Sequence, residues 1–202
     1  VHRRDDRLRE VAGGDATEPA ALGGELASLA LGDALEVGAG AEHVAGTGDD
    51  HGYAIAVQNN DIVFTGSTKS NGTFPVNPGC FQGTFGGGTS DAFLIKFGAA
   101  GNRIFGTYFG GTGNDVGYGI NSNSSNIVIA GETSGTLPGP SVPSLLNAVG
   151  ISRNAFISKF NSTGTPVWST VQGGSNIDMF KGPAFDSEVT NSACFIAATS
   201  VV

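Results

Sequence analysis

The chain has 202 residues, of which 33 are glycine and 14% are charged, and it carries a net charge of −8. Ordinary domains hold about 7% glycine and about 25% charged residues, so this composition points to an all-β protein rich in tight turns. The acidic balance argues against nucleic acid, which is gripped through Lys and Arg contacts to phosphate, and no apolar run approaches the roughly 18–20 residues of a membrane-spanning helix.

Residues 1–45 stand apart from the rest. They lack Ile, Phe, Asn, Lys, Tyr, Gln, Trp, Met and Cys, and carry a charge of −5 against −3 for the remainder. Leu22 to Leu35 has weak helical character, opposed by three glycines at about 1 kcal/mol each. Such a low-complexity Ala/Gly-rich segment is expected to be disordered or marginally ordered. The opening His2-Arg3-Arg4-Asp5-Asp6-Arg7 has no apolar core behind it and is not a signal peptide. With no initiator Met and repeats cut mid-unit, the chain reads as a fragment.

From Gly46 a block of about 65 residues recurs, the mark of a modular array. Gly46-Thr47-Gly48-Asp49-Asp50-His51-Gly52-Tyr53 returns as Gly111-Thr112-Gly113-Asn114-Asp115-Val116-Gly117-Tyr118. Asp91-Ala92-Phe93-Leu94-Ile95-Lys96-Phe97 returns as Asn154-Ala155-Phe156-Ile157-Ser158-Lys159-Phe160. Repeat 1 therefore spans 46–110, repeat 2 spans 111–173, and a partial third occupies 174–202. Each full repeat offers four short runs of β-branched and aromatic residues bounded by Gly, Asn, Asp and Ser. In repeat 1 the predicted strands are Tyr53–Val57, Ile62–Gly66, Ala92–Phe97 and Ile104–Phe109. In repeat 2 they are Tyr118–Ser122, Ile127–Gly131, Ala155–Phe160 and Val167–Val171. Asn59-Asn60-Asp61 has the residues of a hairpin turn. In repeat 3 the run Phe180-Lys181-Gly182-Pro183-Ala184 makes a poor strand.

Alternation fails within these runs, because Phe93, Ile95 and Phe97 alternate with Ala92 and Leu94, which are apolar too. A sheet apolar on both faces must be covered on both. Four-stranded antiparallel meanders stacked face to face around an axis meet that need, and such a stack is a β-propeller. The expected fold is thus all-β: two full propeller blades plus a partial third, an incomplete propeller. The outer face of each terminal blade is expected to lie bare. The variable stretches Lys69–Gly88 and Ser134–Ser152 are expected to be rim loops that make contacts.

In residues 46–199 the repeat resembles the SBBP family of predicted seven-bladed β-propeller repeats. The resemblance rests on Gly46-Thr47-Gly48-Asp49-Asp50, Ala54-Ile55-Ala56-Val57, Thr65-Gly66-Ser67-Thr68 and Phe74-Pro75. It continues through Gly79-Cys80-Phe81-Gln82, Asp91 to Phe97, and Thr107-Tyr108-Phe109-Gly110-Gly111. Repeat 2 departs from the pattern, with Leu137-Pro138 for Phe-Pro, no Gly-x-Phe-Gln element, and Asn154 for Asp. The resemblance implies an extracellular or cell-surface location, no assigned catalytic activity, and further blades in a longer parent chain.

The glycine-rich turns invite two chemical readings. In the first, glycines supply unusual φ angles while Asp50 and Asp115 accept backbone amides. In the second, Asp49 and Asp50, and Asp115 in the next copy, hold Ca²⁺ together with loop carbonyls. The nonapeptide calcium roll does not fit Gly110 to Asp115, since that motif recurs every nine residues. His51 becomes Val116 in the next copy, so it reads as a surface residue. Cys80 and Cys194 hold non-equivalent repeat positions. Asn71, Asn123 and Asn161 head N-glycosylation triplets in predicted loops. No carboxylate pair, nucleophile or phosphate loop appears. The chain is expected to be a non-catalytic scaffold that binds protein or glycan at its loop rim and needs no cofactor. The alternatives are a propeller-type hydrolase or lyase whose catalytic residues lie outside the fragment, or a calcium-binding repeat protein.

Overall fold

The computed structural model describes residues 45–141, 153–173, 177–185 and 194–200; residues 1–44, most of the second variable stretch and parts of repeat 3 lie outside them. Among the described residues the fold is all-β, with no helix, and hence none long and apolar enough to cross a membrane. Repeat 1 forms β1 (Asp50–Gln58), β2 (Asp61–Thr68), β3 (Asp91–Phe97) and β4 (Arg103–Phe109); repeat 2 forms β5 (Asp115–Ser122), β6 (Asn126–Thr133), β7 (Asn154–Asn161) and β8 (Pro166–Gln172). Each set is one four-stranded sheet in chain order, antiparallel throughout. These are the eight strands expected from the repeat, each lengthened at one or both ends.

The register repeats down to its irregularities. A bulge falls between Gly52 and Ala54 in β1 and between Gly117 and Gly119 in β5. The pairings β3–β4 and β7–β8 slip at Lys96/Phe97 and at Lys159/Phe160. A bulge adds one residue and increases local twist; here it sits beside a glycine that lets backbones close in. An added Cβ on Gly66 would lie 1.8 Å from the His51 carbonyl oxygen, and one on Gly131 1.9 Å from that of Val116. The first hairpin turns on Asn59 and Asn60, with φ of 51° and 74°. Left-handed conformation at both central positions is what a two-residue hairpin requires, and Asn tolerates it best after Gly.

The two sheets pack face to face. Val63, Ala92, Leu94, Phe105 and Phe109 of the first sheet meet Ile120, Ile127, Ile129, Phe156 and Phe160 of the second, with Ala54 and Ala56 at the margin. The Phe109 ring stands edge-on to Phe160 at 4.9 Å and tilts against Phe156 at 6.0 Å. Aromatic pairs in such orientations add about 0.5–1.5 kcal/mol each beyond the area they bury. The step is then repeated: β5 packs on β1, β2 and β3, and β9 (Asp178–Phe185) packs on β5, β6 and β7.

Two expectations are corrected. The run Phe180 to Ala184 lies within β9, which pairs antiparallel with β10 (Cys194–Ser200); backbone pairing outweighs its weak local propensity. The variable stretch of repeat 1 folds partly inward. Phe74 is 4% exposed and packs with Phe93, Ile95 and Tyr108, flanked by Val76 and Phe85. It therefore covers the β3–β4 half of a face expected to be bare. The stretch also shields the edge of β4: Tyr108 N donates to Gln82 O at 3.1 Å and Asn77 N to Gly106 O at 3.1 Å. Before repeat 2 leaves the described residues, Ser169 N donates likewise to Pro140 O at 2.8 Å. An exposed edge strand is a template for aggregation, and each repeat blunts its own.

Candidate functional site

The chain enters each full sheet through a glycine-rich turn that ends on a buried aspartate. Asp50 Oδ2 accepts from Gly46 N at 2.7 Å, and Asp115 Oδ2 accepts from Gly111 N at 2.8 Å. Both bonds reach back four residues and pin the turn. Asp50 also accepts from Ser70 Oγ at 2.9 Å, and the Ser70 carbonyl accepts from the Tyr108 hydroxyl. Asp49 turns the other way, into an exposed ion pair with Lys69 at 2.9 Å. The hydrogen bond and charge of Lys69 hold its carboxyl below the usual value. Adjacent in sequence, Asp49 and Asp50 thus serve different partners.

A third carboxylate joins the second turn. Asp91, at the head of β3, is fully buried, as is Asp115 at the head of β5. A Cβ on Gly110 would lie 2.5 Å from Asp91 Cγ and 2.8 Å from Asp115 Oδ2. The two carboxylates therefore flank one glycine at the junction of the sheets, and only a residue without a side chain fits between them. Gly110 is held by the amide of Gln82, whose Oε1 accepts from Gly110 N at 3.0 Å and whose Nε2 donates to Gly110 O at 2.9 Å. Asp91 Oδ2 accepts from Gly86 N at 2.6 Å. Asp115 N closes the junction by donating to Ser90 O at 2.8 Å.

Oδ1 of Asp91 and Oδ1 of Asp115 are buried without a hydrogen-bond partner. Burial raises Asp91 to about 7, the charge of Asp115 adds to that rise, and the amides of Gly86 and Gly87 oppose it. Burial raises Asp115 as well, against the Thr133 hydroxyl and the Gly111 amide. A carboxyl that titrates near neutrality has the strength of a general acid or base, but this one is sealed behind Gln82, Gly86 and Gly110. Two carboxyls confined together cannot both ionise cheaply, which adds to the rise that burial imposes on Asp91.

A further buried acid appears in repeat 2, where Glu132 replaces Ser67. Glu132 is 2% exposed, and its Oε1 accepts from Arg153 Nη1 at 2.7 Å and from the Tyr118 hydroxyl at 3.1 Å. Burial and the neighbouring Glu132 push Tyr118 up to about 12. Neither Asp91 nor Glu132 was singled out as a site from the sequence. The available signal was their departure between copies, Asp91 against Asn154 and Ser67 against Glu132.

Among the described residues no group of three or more His, Cys, Asp or Glu is arranged to hold a metal ion. Cys80 is a half-buried free thiol. Asn71 is exposed in a turn. The other two glycosylation candidates use their side chains to shape turns. Asn123 Oδ1 accepts from Asn126 N at 2.9 Å, and Asn161 Oδ1 accepts from Thr165 N at 2.9 Å and from Thr163 Oγ1 at 2.8 Å. No protein-family model and no curated protein matches the chain.

Proposed function

We propose that this chain is a non-catalytic, extracellular or cell-surface β-propeller repeat region of the SBBP kind, a scaffold that binds protein or glycan at its loop rim. The observation that carries the reading is the repetition of one sheet on the next. Both repeats make the same four-stranded meander with bulges at matching positions, and one apolar layer joins them. The most perturbed carboxyl, Asp91, lies inside the junction and reaches no cleft. Its chemistry serves the turn. The location rests on the family resemblance alone.

The test is a binding and turnover screen of the full chain. Immobilised glycan and peptide arrays are expected to retain it, and chromogenic glycoside, ester and polyuronide probes are expected to pass through unchanged. Turnover of any such probe by the chain would overturn the non-catalytic reading in favour of a hydrolase or lyase. A melting temperature that climbs with millimolar Ca²⁺ and no longer climbs in Asp115→Asn would favour the calcium-binding alternative.

A further inference from the structure

Two departures of repeat 2 from repeat 1 meet in space. Glu132 stands where repeat 1 has Ser67, and Arg153 stands where it has Ser90. The two are joined at 2.7 Å, and the same Glu132 oxygen accepts from the Tyr118 hydroxyl at 3.1 Å. The Tyr118 ring tilts against Tyr53 at 5.4 Å, and Tyr53 stacks on His51, itself replaced by Val116 in repeat 2, at 6.1 Å. One chain of contacts thus links the two sheets through groups that the repeat does not copy. Both tyrosines are bulged residues: the β1–β2 pairing skips Tyr53, and the β5–β6 pairing skips Tyr118. A bulge re-aims the side chain it carries, and bulges gather beside working sites. Tyr53 is 38% exposed and the Arg153 side chain 44% exposed, whereas Glu132, which joins Tyr118 to Arg153, is buried. An ion pair gains most from a bidentate contact that satisfies both carboxylate oxygens. This one runs through Oε1, and Oε2 is buried without a partner.

We propose that His51, Tyr53, Tyr118 and the Glu132–Arg153 pair form a binding site for a neutral saccharide. Tyr53 supplies the platform: an aromatic face is electron-rich and attracts the C–H face of a sugar ring. Arg153 supplies the donors, since a guanidinium carries five N–H groups in a fixed fork that matches two adjacent hydroxyl oxygens. Glu132 is a positioning residue, holding the guanidinium and the Tyr118 hydroxyl through one oxygen. The charges of Glu132 and Arg153 cancel, and the chain carries −8 overall, so an anionic sugar gains nothing from the surrounding field. Burial and Glu132 push Tyr118 up to about 12; it keeps its proton and serves as a donor, which suits binding and not bond cleavage. The site deepens the scaffold reading, on which it rests, by naming a ligand class and placing it on the strand bulges and not on the variable loops.

The test is retention of the full chain and three variants on immobilised neutral oligosaccharides (β-glucan, α-glucan and mannan fragments), with polyuronide fragments and a peptide array alongside. The parent is expected to be retained by at least one neutral oligosaccharide. Tyr53→Ala weakens that retention on the order of tenfold, the loss typical of an aromatic anchor, and Tyr53→Phe preserves it. Because Arg153 alone cannot be removed without stranding a buried carboxylate, the third variant is Glu132→Ser with Arg153→Ser, which installs the residues of repeat 1 and is expected to fold and lose retention similarly. As an independent readout, titration of the parent with the retained oligosaccharide shifts the ring-proton resonances of Tyr53 and leaves those of Tyr108, fully buried in the first sheet, in place. Equal retention of the parent, Tyr53→Ala and the double variant on neutral oligosaccharides overturns this site while leaving the scaffold reading intact, since the glycan then binds elsewhere. Retention confined to polyuronides overturns the neutral assignment, and retention confined to peptides makes the occupant a protein. Retention on nothing overturns both the site and the scaffold reading.

Discussion

Asp91 and Asn154 hold the same place in consecutive sheets, each at the head of a third strand and each against a glycine. A Cβ on Gly110 would lie 2.6 Å from Asp91 Oδ1, and one on Gly173 would lie 1.9 Å from Asn154 Oδ1. One repeat uses a carboxyl there and the other its neutral isostere. Repeat 1 supplies Gln82 to clamp Gly110 and Gly86 N to bind the carboxyl; repeat 2 lacks the Gly-x-Phe-Gln element. A buried carboxyl is tolerated where local donors surround it, as the Gln82 amide and the Gly86 N–H do at Asp91. The comparison teaches that this junction is a steric and hydrogen-bonding device first, with the charge optional.

The largest break in that comparison is steric. Gly110→Ala drives a methyl into Asp91 and Asp115 and is expected to cost roughly 2–4 kcal/mol, since overpacking forces neighbouring backbone to shift. Denaturant titration measures it, and a loss below half a kcal/mol would mean that the junction can open at little cost.

The second test concerns charge. Asp91 is raised from 3.8 to about 7, so between those values the folded chain retains a proton that the unfolded chain has released. This contribution to stability is complete below pH 3.8 and falls as pH rises towards about 7; it then levels off. Asp91→Asn removes the decline, and at pH 8 the variant is expected to be more stable than the parent by about 1–3 kcal/mol. Asp115 from β5 and Tyr108 from β4 are the titratable neighbours that act on or feel this group. Melting temperatures of both proteins from pH 4 to pH 8 decide it, and parallel curves would refute the assignment.

Gln82→Ala sharpens the comparison by making repeat 1 resemble repeat 2 in its loop alone. Two hydrogen bonds to Gly110 are lost, at a cost on the order of 1–2 kcal/mol. Adding Asp91→Asn to that variant should recover part of the loss, which a double-mutant cycle would read as coupling between the two sites. Strict additivity would separate the clamp from the carboxyl. The smallest effect belongs to Asp49→Asn, where an exposed pair with Lys69 is removed and screening leaves little to lose. Its melting temperature is expected to match the parent, and a clear drop would give Asp49 a role beyond that pair.

Much of the fold was legible because its determinants are local. Strand positions follow from runs such as Ala92–Phe97, the hairpin from Asn59-Asn60, and the face-to-face stack from apolar residues on both sides of β3. The role of Asp50 and Asp115 was legible as well, since a glycine-rich turn closed by an aspartate has a backbone partner within reach. Three features were hidden. The inward tuck of Phe74, Val76 and Phe85 depends on a bare sheet face and edge that exist only after β3 and β4 have formed. Burial of Asp91 depends on Gln82 and Gly86 folding over it. The different exposures of Ile55 and Ile120 depend on which sheet has a neighbour, a property of the assembled array that is invisible in either copy alone.

The central claim is that the second repeat seats one defined face on the opposite face of the first. Nuclear Overhauser contacts from the Phe109 ring test it most directly. Ring protons of Phe109 are predicted to show cross-peaks to the rings of Phe160 and Phe156, whose centroids lie 4.9 and 6.0 Å away, and none to Ile55 or Val57 on the far side of the first sheet. Cross-peaks from Phe109 to Ile55 or Val57, with silence to Phe156 and Phe160, would contradict the stacking.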